Sequence, residues 1–110
     1  MSVRDFLLAI PSQARAIEIN DGDNRGVVYA TPLTCGDTTK LQQRHPDFPL
    51  KLTPESMVDM VILKALDAEG NKMFTLEDKP LLLRQGLTRV SLVASSILGE
   101  TLVVEDAEKN

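Results

Sequence analysis

The residues whose types and spacing could do chemistry are gathered in two acidic turns. Asp67, Glu69 and Asn71 occupy the first, third and fifth places of a twelve-residue calcium loop, the spacing at which carboxylate and amide oxygens converge on a hard cation. Such a loop needs glycine sixth for its sharp bend and a bidentate Glu twelfth. This chain has Lys72 and Asp78 there, and Gly70 falls two places early. The second turn, "DGDNRG" at 21–26, has Gly26 sixth, but Arg25 is fifth and Pro32 twelfth. Both are therefore expected to be oxygen-rich turns without a metal. Cys35 and His45, the single cysteine and single histidine, are the other pair that invites a mechanism. A thiolate nucleophile needs an activating, electropositive setting as well as a base. The segment "RHPDFP" supplies none, so both are expected to be structural or incidental.

No phosphate-binding glycine loop, dinucleotide fingerprint, paired-histidine or Cys-x-x-Cys ligand set, or nucleophile elbow occurs in the sequence. Most carboxylates fall in turns, helix starts and the C-terminal stretch, where solvation and helix termini account for them. The sequence predicts no catalytic residue, no cofactor, no metal and no enzymatic activity.

The elements that would position any site must fit in 110 residues, which allows one domain with one modest core. A net charge of −4 without a basic cluster argues against nucleic acid as a partner. A lone cysteine suits a reducing cytoplasm. The apolar run "FLLAI" near the N-terminus is shorter than the roughly 7–15 residues of a secretory core, and no run approaches the ~18 needed to span a membrane.

Ile17 and Ile19 alternate with Glu18, and "GVVYAT" is β-branched and aromatic, so residues 14–34 are expected to form a hairpin about "NDGDNRG". Pro32 belongs at a strand end or free edge. "DTTKLQQR" suggests a short helix capped by Asp37, and the proline-rich "HPDFPLKL" an irregular linker from which Phe48 and Leu50 cover the core edge. A firm helix starts at Thr53, its N-cap, followed by Pro54 and Glu55. Its apolar positions Met57, Val58, Val61, Ile62, Ala65 and Leu66 are widened by Met60 and Leu63, so the helix must be buried on two sides. Gly70 and Asn71 are expected to stop it. Thr75 and Asp78 form a near capping box for the next helical stretch, although Pro80 favours a start nearer Asp78. Leu83, Leu87, Val90, Ala94 and Ile97 keep helical spacing, Gly86 interrupts it, and Gly99 ends it. "TLVV" is expected to be strand-like. The overall expectation is an α+β fold: one domain over 1–99, an N-terminal β-hairpin followed by a mainly helical C-terminal half, and an acidic, disordered tail over 100–110. The excess apolar helix surface is either shared core or a face for another protein, with Met57, Met60, Val61, Leu63 and Met73 as the candidate client or self-association face.

This organisation resembles the tail assembly chaperones of long-tailed bacteriophages and prophages over about residues 14–99. The matching features are the hairpin, Leu52 and Thr53 at the helix start, a "DxxGxxxF" turn at Asp67, Gly70 and Phe74, and the acidic cap at Glu77 and Asp78. The turn then connects two helices, with Phe74 folded back as an anchor. The resemblance implies a homo-oligomeric, non-enzymatic protein of the bacterial host cytoplasm. It would coat the tape-measure protein, help the tail tube polymerise, and be absent from the finished virion. It also implies a longer product made by ribosomal frameshifting that would engage the tail tube protein. The final "EKN" can be encoded with a slippery A AAA AAC run. The alternative expectation is a tail structural or adaptor protein whose apolar face makes a permanent interface.

Overall fold

A computed structural model describes residues 2–9 and 14–108, with the backbone alone for residues 100–108. The order is α1 (Val3–Leu8), β1 (Arg15–Asn20), β2 (Arg25–Ala30), α2 (Cys35–Gln42), α3 (Pro54–Lys64), a 3-10 turn at Leu76–Asp78, α4 (Lys79–Leu83) and α5 (Leu87–Glu108). The expected α+β architecture is present. β1 and β2 form an antiparallel hairpin with Ile17 opposite Val28, and Pro32 follows the end of β2.

The hairpin turn is built by its own side chains. Asn20 Oδ1 accepts the Gly22 N–H, and Asp21 Oδ1 accepts those of Asp23 and Asn24. Gly22, at φ +97°, takes the left-handed position. For α2, Asp37 is not the cap but the third helical residue. Thr34 is the cap, and its hydroxyl and the Asp37 carboxylate satisfy each other's backbone N–H groups.

α3 starts as expected. Thr53 Oγ1 accepts the Ser56 N–H at 3.1 Å, Ser56 Oγ accepts the Thr53 N–H at 2.8 Å, and Pro54 opens the helix. Its burial on several sides is real, since α3 packs against α5, α4 and α2. Met57, Val58, Met60, Val61 and Ile62 are core, joined by Ile17, Val28, Ala30, Leu41, Phe48, Val90, Ala94 and Ile97. Each Val, Leu, Ile, Phe or Met among them contributes about 1.5–3 kcal/mol of hydrophobic stabilisation.

Several further expectations are corrected. α3 ends at Lys64 rather than at Gly70, because Leu66 leaves the helix to exchange two backbone hydrogen bonds with Tyr29 (2.9 and 2.7 Å). Leu66 also pairs with Lys72, and the Met73 N–H reaches Ala65 O, so residues 65–73 turn back as a narrow loop. Gly70, at φ +85°, serves that loop. Leu50 covers nothing, being 97% exposed, whereas Phe48 is buried. Leu83 and Leu87 lie exposed on either side of Gly86, where the helix divides into α4 and α5, so only Val90, Ala94 and Ile97 of that series reach the core. Gly99 does not end α5, and the "TLVV" stretch is helix rather than strand. The acidic stretch lies within α5 as far as Glu108, and residues 109 and 110 are outside the described residues. α1 was not expected at all; Ser2 caps it by accepting the Asp5 N–H.

Candidate functional site

The acidic turns use their oxygens internally. Asp67 Oδ1 accepts the N–H groups of Glu69 and Asn71, both at 2.9 Å, so Asp67 and Gly70 shape a turn. Asp21 is held below the ordinary carboxylate value chiefly by the Asn24 N–H and also by Arg89, whose Nε lies 3.1 Å from Oδ2. Among the described residues, no three His, Cys, Asp or Glu stand together to hold a metal. Cys35 is an exposed free thiol.

His45 is not incidental. Its Nε2 lies 2.7 Å from Asp59 Oδ2, and the other Asp59 oxygen lies 2.9 Å from Lys79 Nζ, which also meets Glu55 at 3.0 Å. Burial raises the Asp59 pKa, but the hydrogen bonds and charges of His45 and Lys79 outweigh it and hold the carboxyl below its ordinary value. Lys79 is raised, first by its hydrogen bond to Asp59 and then by Glu55. With both Asp59 oxygens engaged, the cluster ties the irregular segment after α2 and the start of α4 to the flank of α3. A cavity of about 330 Å³ opens beside it, floored by Leu41, Ile62 and Leu63 and rimmed by Lys40, Arg44 and Lys72.

A larger cavity, about 510 Å³, lies where the hairpin meets α5. Val27 and Val28 come from β2, Met73 and Phe74 from the loop after the Leu66–Lys72 pairing, and Leu92 and Val93 from α5. A smaller cavity of about 180 Å³ adjoins it through the shared residues Phe74, Arg89 and Val93, and runs on to Leu82 and Val90. Together they make an apolar groove with Phe74 across its middle and the Asp21–Arg89 ion pair at its hairpin end. Two residues set its shape. The Met73 N–H bond to Ala65 O presents Phe74 to the core edge, and the Thr75 N–H donates to Asp78 Oδ2 at 2.9 Å, turning the chain away into α4.

The candidate face named from sequence does not assemble. Met57, Met60 and Val61 are core, with Met60 0% exposed, and Leu63 packs half-buried against them. Met73 alone lies at the surface, in the groove. Phe74 folds back against the core as expected, while Thr53, Thr75 and Asp78 serve as helix-start residues. The groove escaped sequence reasoning because its walls come from three separated segments. The adjacent pair Val27 and Val28 was a usable signal, since strand alternation lets only one of two neighbouring residues enter the core. Comparison with protein-family models, with curated proteins and with solved structures gives no match.

Proposed function

We propose that the protein is a tail assembly chaperone of a long-tailed phage or prophage, acting without catalysis by holding an apolar helical segment of the tape-measure protein. The observation that carries the reading is the groove across Phe74, an open apolar surface with exposed Val27 and Met73 on its walls. An amphipathic helix laid in such a groove buries its apolar stripe and leaves its polar face in water. The net charge of −4 favours solubility of a client coated by many copies. The client face therefore moves from Met57, Met60 and Val61 to Val27, Met73, Phe74 and Val93. The setting is the host cytoplasm, and the frameshifted longer product would bring the tail tube protein to the same client.

Co-expression with the large helical protein encoded just downstream, then co-purification and light scattering, tests this. A soluble multi-copy complex is expected where the client alone precipitates, and Val27→Asp should abolish it while leaving the fold intact. A client equally insoluble in both cases, with this protein retained in purified particles, would replace the chaperone by a structural adaptor.

A further inference from the structure

α1 is physically anomalous. Phe6, Leu7 and Leu8 are 63%, 73% and 59% exposed, Val3 is exposed too, and no α1 residue is buried. A helix of six residues is far below the ~12–15 at which isolated helices become marginal in water. Covering it would recover stabilisation that three large apolar side chains forgo in water.

The same chain offers a matching receptor, and we infer that α1 of one copy seats in the Phe74 groove of a second copy. The inference rests on the groove being a docking surface, and it gives that surface a resident occupant when no client is present. Two observations favour a second copy over the same chain. The groove is lined from Ile19 through Val28, at the turn end of the hairpin, whereas α1 joins the hairpin at its opposite end, before Arg15. To fold back in cis, the segment between Ala9 and Arg15 would have to reverse and run nearly straight along β1, since an extended chain gains at most about 3.3–3.6 Å per residue. In the structure α1 stands clear of the groove, with all its apolar residues exposed. The charges also correspond. α1 carries Arg4 and Asp5 beside its apolar residues, and the groove is bordered by Asp21 and by Arg25, which makes no ion pair among the described residues. Val3, Phe6 and Leu7, which share one face of α1, would fill the space on either side of Phe74.

The test uses the full chain with Cys35→Ser as background. Phe6→Cys and Val27→Cys proteins, one carrying a mass tag, are mixed and mildly oxidised. The expected product is the disulfide-linked heterodimer of the two variants, lost when Leu7→Asp and Leu8→Asp are added. By sedimentation the wild-type mass should rise with concentration, while Leu7→Asp/Leu8→Asp stays monomeric with an unchanged unfolding midpoint. Absence of the heterodimer overturns the inference, as does a Phe6→Cys/Val27→Cys double variant that closes within one chain. Binding of the monomeric protein to phosphatidylglycerol–phosphatidylethanolamine vesicles, without cross-linking, would overturn it in favour of a lipid surface. Client kept soluble by a protein that never cross-links sinks this inference alone. Cross-linking without client rescue supports it and sinks the chaperone reading.

Discussion

Lys64 Nζ lies 2.8 Å from Asp37 Oδ2, joining the last residue of α3 to the first turn of α2. The ammonium also donates to Thr31 Oγ1 at 2.8 Å and Pro32 O at 3.3 Å, so a nearly buried cation satisfies three acceptors from two other segments. Asp37 in turn accepts the Thr34 N–H. Burial raises its pKa, but Lys64 and Thr34 outweigh that and hold it below the ordinary value.

Replacing Lys64 with Met should cost about 2–4 kcal/mol, because it strands a carboxylate and two other acceptors at a site little open to water. Asp37→Asn should cost less, since the amide oxygen can still accept from both Lys64 and Thr34. Urea unfolding of the two variants checks the order, and an Asp37→Asn loss as large as that of Lys64→Met would refute it.

The Asp59 cluster gives stability a definite pH window. A carboxyl depressed below 3.8 when folded stabilises the fold fully above that value, and the contribution is lost as pH falls through the folded value. Lys79, raised above 10.5, stabilises below that pH and loses its contribution as pH rises through its folded value. Asp59→Asn should therefore cost about 1–2 kcal/mol at pH 7, and the gap from wild type should close below pH 3.8. Unfolding midpoints recorded from pH 2.5 to 7 measure that gap, in ~0.5-unit steps. A gap that persists unchanged at the acid end would contradict the assignment.

Met60 separates core from surface. Met60→Asp should unfold the protein, because an ionised side chain at a site with no exposure has no partner there. Met60→Leu conserves volume and should cost less than about 1.5 kcal/mol. Circular dichroism distinguishes this from the surface reading, in which Met60→Asp would keep its helicity.

Two glycines should respond in opposite directions. Gly70→Ala places a β-carbon on a residue at φ +85° and should destabilise by about 1 kcal/mol. Gly99 lies inside α5 with open space where a β-carbon would stand, so Gly99→Ala should stabilise by up to about 1 kcal/mol. Thermal melts of both variants, showing shifts of opposite sign, would bear this out; a stabilising Gly70→Ala would not.

Local signals were legible wherever a few adjacent residues decide the outcome. Thr53 and Pro54 set the start of α3, Thr75 and Asp78 the turn towards α4, and the alternation at Ile17 and Ile19 the hairpin. Gly70 misled because a left-handed glycine serves a helix end and a tight loop equally well, and only the Leu66–Tyr29 pairing decides between them. Lys64 and Asp59 look like ordinary polar positions on an exposed helix face. Their partners lie 27 and 14 residues away, in segments whose approach no local spacing encodes. The groove was hidden for the same reason, and the wide apolar stripe of α3 drew attention to residues that the core consumes.

The two hydrogen bonds between Tyr29 and Leu66 lie outside the regular ladder of the hairpin, yet they connect its second strand to the residue beyond α3. The hairpin consequently cannot detach as an independent flap, for its outer edge is clasped by the helical half of the chain. Amide exchange at Tyr29 and Leu66 should therefore be as slow as in the α3 interior, the behaviour expected of one cooperative unit reaching from the hairpin to the groove floor. A client or neighbour gripping Phe74 would thus pull against the whole domain rather than a loop.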